Sequence, residues 1–176
     1  LHTLRQPQPP CGFLSFQPLE IEKDVFMKAW IYAGALSCGL LSALPAAAQF
    51  AKPEDAIKYR KSVMSVMGNH FGRVGAMVNG RVPFDAKVAA DNAEIVLMMS
   101  KLPFDAFGPG TDKGETRAKP QLWAEMDKFK AGATKMQDDI VKLNLAAKGG
   151  NLDAIKAAFG EVGKSCKACH DAYWKE

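Results

Sequence analysis

Four stretches between residues 53 and 173 place apolar side chains at spacings of three and four, and each is bounded by proline, glycine or a capping residue. That period is the signature of helices burying one stripe. The first stretch opens at Pro53, a residue tolerated in a first helical turn, with Glu54 and Asp55 at the positive end of the dipole. Its stripe is Ile57, Val63, Met64, Met67, Phe71, Val74 and Val78, and Gly80 is its expected stop. Gly68, Gly72 and Gly75 cost helix propensity, so they are expected to mark close helix approach. The second stretch follows Pro83 and Asp85 and ends at Pro103, with Val88, Ile95, Met98, Met99 and Leu102 as its stripe.

Pro120 opens the third, whose stripe is Trp123, Met126, Phe129, Ala133, Met136, Ile140 and Leu143, with Gly149 and Gly150 ending it. Asn151 caps the fourth by accepting an orphan backbone N–H. Leu152, Ile155, Phe159, Val162, Cys166, Cys169 and Tyr173 carry that face onward. No useful strand pattern competes. Short connections within the first and last helix pairs make those pairs antiparallel, so an all-α, up-down-up-down four-helix bundle is expected. Between the pairs lies a Gly-, Pro- and charge-rich segment, 103–119, with Phe104 and Phe107 embedded. A connection that long is often functional. The two rings must cover either a satellite core or the edge of a cofactor.

The segment before the bundle is of another kind. Met27 and Lys28 give a short basic start, and Trp30 to Leu44 follow without a charge. Pro45 then precedes the small residues Ala46, Ala47 and Ala48. Basic, apolar and small regions in that order describe a secretory signal peptide. Fifteen uncharged residues fall short of the roughly 20 that span a bilayer, so residues 27–48 are expected to be removed after Ala48 and not to anchor the chain. Residues 1–26, with four prolines and no amphipathic period, are expected to precede the natural start. The working domain is then 49–176, and the expected compartment is the periplasm. Of the 23 Lys and Arg, 20 fall in this domain with 16 of the 19 Asp and Glu. Its basic residues come in single helical turns without an aromatic platform, which argues against nucleic acid. A mildly basic surface suits an acidic redox partner protein.

Two cysteines remain in 49–176, in the run Cys166-Lys167-Ala168-Cys169-His170. A redox-active disulfide is disfavoured because His170 follows at once, the segment ends a long helix, and no βαβ pattern precedes it. Structural zinc needs a fourth ligand, and His70 is the one other histidine in the domain. At 100° per residue, Cys169 and His170 lie at about −60° and +40° from Cys166. Both thiols and the imidazole therefore share one arc. Phe159, Val162 and Tyr173 lie close to the same direction, so the arc is expected to face the interior. Two thiols and an adjacent imidazole on one arc suit a covalently attached haem c, one per chain, with Cys166 and Cys169 as tethers and His170 as the metal ligand. His70 falls off its helix's apolar face and is expected to be partly exposed or at an interface. Met64, Met67, Met98, Met99, Met126 and Met136 are all candidates for the opposite axial position and all plausible core fillers. On spacing alone, a vacant site and a methionine-ligated site stand equal.

The domain resembles the cytochrome c prime family, bacterial periplasmic four-helix haem proteins, over essentially all of 49–176. The resemblance rests on Gln49-Phe50-Ala51-Lys52-Pro53-Glu54-Asp55-Ala56 with Tyr59 and Arg60 after it. It rests equally on Phe104-Asp105-Ala106-Phe107-Gly108-Pro109-Gly110-Thr111 and on the ending Val162 to Tyr173 around the haem-attachment run. It implies a five-coordinate haem, Met64 as a packed lid over the distal face, Arg60 near a propionate, and Phe104 and Phe107 against the haem edge. It further implies binding of nitric oxide and carbon monoxide as sensor or scavenger, and a homodimer through the first two helices. No catalytic residues are expected, because Ser165 lacks a base partner and no carboxylate pair presents itself. A soluble periplasmic electron carrier is the alternative. Four residues beyond His170, where relatives often carry Arg or Lys, this chain has Trp174. That departure bears on the iron–histidine bond.

Overall fold

The computed structural model describes residues 49–175, so the expected signal peptide and the segment before it lie outside the described residues. Among the described residues there are five helices and one short 3₁₀ turn: α1 (Pro53–Val78), α2 (Ala86–Met99), the turn Phe104–Ala106, α3 (Gln121–Ala124), α4 (Met126–Lys148) and α5 (Leu152–Tyr173). Their boundaries follow local chemistry. Pro53 opens α1 with Glu54 and Asp55 in its first turn. The Val88 N–H donates to Asp85 Oδ1 at 2.9 Å, and the Ala154 N–H donates to Asn151 Oδ1 at 3.0 Å, so α2 and α5 are capped by side chains. Gly80 and Gly150 end α1 and α4 at φ +67° and +68°, a left-handed conformation that favours glycine.

The long helices pack in a ring, α1 on α2, α2 on α4, α4 on α5 and α5 on α1, and the α5–α1 seam is the loosest of the four. Neighbours run antiparallel. Lys148 near the end of α4 meets Glu94 in mid-α2, whereas Gln137, earlier in α4, donates to the Ser100 carbonyl beyond the end of α2. The Asp139–Ser165 hydrogen bond and the approach of Gly132 to Cys169 give the same antiparallel order for α4 and α5. The core contains Met67, Val74, Val78, Ala89, Ala93, Val96, Met136, Ile140, Leu143, Ala147, Ile155 and Val162. The expected all-α four-helix bundle is therefore the observed fold.

Three details differ from the sequence reading. The buried face of α2 is Ala89, Asn92, Ala93 and Val96, while Val88 and Met98 are exposed. The inward stripe is thus rotated by about 100°, one residue, from the expected one. Small side chains let α2 lie close to α1 and α4, and an apolar pattern weighted by side-chain size points the other way. The expected third helix is broken at Glu125, where φ is −118° and ψ is 37°. The break lets α3 deliver Leu122 to a second core with Phe107 and Phe129, against which Phe104, Trp123 and Tyr173 pack. Of the helix-one glycines, Gly75 alone marks a close approach: a β-carbon there would lie 2.8 Å from the Phe159 ring, whereas Gly68 and Gly72 face open space.

Candidate haem site

The stripe of α5 is buried at Ile155 and Val162 but only half-buried at Cys166 and Cys169. Beside these two residues, the loose α5–α1 seam opens into a cavity of about 580 Å³. Cys166, Cys169 and His170 all reach it from α5, as their shared helical arc requires. Cys166 also packs against the core, whereas His170 is exposed at the rim. The expected inward arc therefore runs from buried to open along one helical turn. A β-carbon at Gly132 would sit 3.1 Å from the Cys169 sulfur, so the absence of a side chain on α4 makes the room for that thiol.

The apolar surroundings set the electrostatics. Burial pushes the Cys166 thiol up to about 11, with the nearby Cys169 and Asp139 adding to the rise. Cys169 is also raised by burial. Desolvation pulls His170 below the usual histidine value, against the opposing pull of Asp171, which favours the neutral imidazole that a metal needs. One further polar contact steadies this turn. Ser165, next to Cys166, donates to Asp139 Oδ2 at 2.5 Å, and the carboxylate also takes Lys135 at 2.6 Å while its side chain is 2 % exposed.

Opposite α5, helix α1 contributes Arg60, Lys61, Met64, Ser65, Met67 and Phe71 to the cavity wall. Three of the six candidate methionines line it: Met64, Met67 and Met136. Met98 is instead 54 % exposed, Met99 packs on the main core, and Met126 packs on the second one. His70 is turned away from the cavity, its Nδ1 lying 2.8 Å from Asn92 Oδ1 across the α1–α2 seam.

Phe104 and Phe107 satisfy both readings of the loop at once. They stack 6.4 Å apart, meet Phe129 at 5.6 and 4.8 Å, and still present surface to the cavity. Arg60 has a role that sequence reasoning missed. It is 3 % exposed. Its Nη1 donates to the Ala106 carbonyl and Thr111 Oγ1, both at 2.9 Å, and its Nη2 donates to the Thr111 carbonyl and Thr116 Oγ1, both at 2.8 Å. The guanidinium also lies 4.3 Å from the Phe107 ring centroid. All four terminal N–H bonds thus hold the loop, leaving Nε as the guanidinium donor for any ligand. Nothing local in the sequence joins Arg60 to Thr111, fifty-one residues away. A mid-stripe Gly132, by contrast, is a legible sign of close approach.

The donor set fits a tethered haem: two thiols and one imidazole on one wall, an apolar pocket facing them, and cationic residues Lys61 and Arg117 among its lining. Comparison with known proteins points the same way. A family model described as Cytochrome C' matches residues 55–174. The chain is 52% identical over 128 residues to a cytochrome c' of Alcaligenes xylosoxydans xylosoxydans, covering 73% of this chain and 99% of that protein. It is similar to the crystal structure of cytochrome c' from Rubrivivax gelatinosus, with a TM-score of 0.70 and 54% identity over 72% of this chain and 100% of that one. It is also similar to the nitric oxide complex of a variant of cytochrome c prime from Alcaligenes xylosoxidans, with a TM-score of 0.69 and 51% identity, covering 73% of this chain and 100% of that one.

Proposed function

Because this chain belongs to the cytochrome c' family, whose members are periplasmic proteins carrying covalent haem c, we propose that it binds nitric oxide and carbon monoxide at a five-coordinate haem, as a sensor or scavenger and not as an enzyme. Cys166 and Cys169 are the tethers, and His170 is the protein ligand to iron. Bound haem would supply an iron centre that changes oxidation state and takes a diatomic ligand. The carrying observation is the cavity itself: it holds one imidazole, that of His170, while α1 faces it with Met64, Met67 and Phe71. These three apolar side chains carry no donor for a polarised dioxygen ligand and no histidine of α1 lines the cavity, so this stretch of wall favours the less polar diatomics. Met64 is half-buried against the core and works as a packed lid that an incoming ligand displaces. Phe104 and Phe107 close the edge of the pocket, and Arg60 holds the loop that carries them, its free Nε being the donor for a propionate. The nitric oxide complex of the Alcaligenes relative supports the same ligand class.

Residues 1–48 are, in this reading, the precursor extension and signal peptide, cleaved after Ala48, and 49–176 is the exported domain. No helix among the described residues is long and apolar enough to cross a membrane. Homodimerisation through α1 and α2 is supported by outward apolar residues Val66, Val88 and Met98, and by the open ground over Gly68 and Gly72. The test is optical. Purified ferrous protein should be high-spin and five-coordinate, should bind nitric oxide and carbon monoxide, and should form no stable dioxygen complex. A low-spin, six-coordinate ferrous spectrum overturns the proposal.

A second reading, a soluble electron carrier, draws on the exposed position of His170 beside Arg117 and Lys119. A haem edge reached through a cationic rim suits an acidic redox partner protein. Fast electron exchange with such a partner, without any change in iron coordination, is the result that separates this reading from the first.

A further inference from the structure

Past Tyr173 the chain leaves α5 in extended form, Trp174 having φ −115° and ψ 137°. There it pairs with the end of the 103–119 loop through an isolated antiparallel bridge between Ala118 and Trp174. The Lys119 N–H donates to the Tyr173 carbonyl and the Lys175 N–H to the Arg117 carbonyl, both at 2.8 Å. Arg117 Nε adds a bond to the Lys175 carbonyl at 2.8 Å, and Lys119 Nζ reaches the Asp171 carbonyl at 3.0 Å. This strap fixes the backbone on both sides of the indole.

Three side chains are stacked as a consequence. The Trp174 ring meets the His170 imidazole at 4.4 Å between centroids and 73° between planes. On the indole, Arg117 Cζ lies 4.8 Å from the ring centroid. All three line the cavity. Among the described residues no hydrogen bond to the His170 ring is present, so none of them sets the imidazole's rotation as an acceptor. Histidine ligands are ordinarily oriented by such an acceptor. Here the surface against the ring is an aromatic one, in the perpendicular arrangement that aromatic pairs favour, and a cation holds the indole from beyond it.

We propose that Trp174 and Arg117 are positioning residues for His170: the indole fixes the imidazole's rotation by edge-to-face packing, and the guanidinium fixes the indole. The 103–119 loop thereby controls the axial ligand from outside the helix that carries it. This rests on His170 being the iron ligand.

The experiment compares haem-loaded wild type, Trp174→Ala, Trp174→Phe and Arg117→Ala by the iron–histidine stretching band in ferrous resonance Raman and by the ferric electron paramagnetic resonance line shape. A single imidazole orientation gives one narrow band in the wild type. Trp174→Ala should shift and broaden it, Trp174→Phe should keep the wild-type band, and Arg117→Ala should broaden it by part of the Trp174→Ala change. Unchanged bands in Trp174→Ala or Arg117→Ala overturn the proposal while leaving the ligand assignment intact, as does broadening in Trp174→Phe equal to that in Trp174→Ala. A wild-type protein with no iron–histidine band overturns both.

Discussion

Arg60 grips Thr111 twice, donating through Nη1 to the threonine hydroxyl at 2.9 Å and through Nη2 to its carbonyl at 2.8 Å. Together with its bonds to Ala106 and Thr116, this makes one α1 side chain the anchor of the loop that carries Phe104 and Phe107. Burial pulls the guanidinium down to about 10, which leaves it charged at neutral pH. Arg60→Ala strips buried carbonyl and hydroxyl acceptors of their partner, and should cost about 3 kcal/mol in chemical denaturation. It should also open the loop to proteolysis. Arg60→Lys should recover less than half of the loss, because an ammonium cannot donate in a planar fork.

Gly132 and Gly160 make a matched pair of substitutions. Both are helical, but a β-carbon at Gly160 meets nothing within 4 Å, while one at Gly132 lies 3.1 Å from Cys169 Sγ. Gly160→Ala should therefore stabilise the protein by about 0.5–1 kcal/mol through helix propensity. Gly132→Ala should gain nothing and should lower the haem-to-protein absorbance ratio, since the crowded sulfur is one of the proposed tethers.

Asp139 links acid stability to the attachment turn. Its burial alone would raise its pKa, but hydrogen bonds from Lys135 and Ser165 outweigh that and hold it below the ordinary aspartate value. A carboxyl depressed on folding stabilises the fold above its unfolded pKa of about 3.9 and loses that contribution as pH falls through the lower folded value. Asp139→Asn should thus reduce stability at pH 7 and have little effect at the acid end of the window. Denaturation midpoints measured from pH 7 to pH 2 should converge for the two proteins; a constant gap contradicts the linkage.

Met64 lines the cavity from α1. If it must move to admit a ligand, Met64→Ala should speed carbon monoxide association about tenfold, equivalent to about 1.4 kcal/mol off the entry barrier. Stopped-flow mixing of ferrous protein reads this directly, and an unchanged rate removes the lid role. His170→Ala should keep the haem covalently attached and abolish the iron–histidine stretching band.

The architecture is legible in the sequence because its information is local. Apolar spacing marked the long helices, and Asp85, Asn151, Gly80 and Gly150 marked their ends where capping chemistry needs them. The same locality brought Cys166, Cys169 and His170 onto one arc, because a helix converts sequence spacing into direction. Locality failed for α2, where Ala89 and Ala93 face inward: how closely helices approach depends on partners that α2 does not encode. It failed again at Glu125, where a helix that begins well by propensity is broken so that Leu122 can reach Phe107.

What the sequence settles, then, is the bundle and the donor set of its last helix. What only the folded chain decides is everything that depends on contacts between distant segments. Arg60 could have been a free cation at the cavity mouth, yet the loop consumes its terminal donors. Trp174 stood out as a departure at a known position, but its neighbours were hidden. The backbone bridge from Ala118, set by packing at the end of the bundle, is what lays the indole between Arg117 and His170.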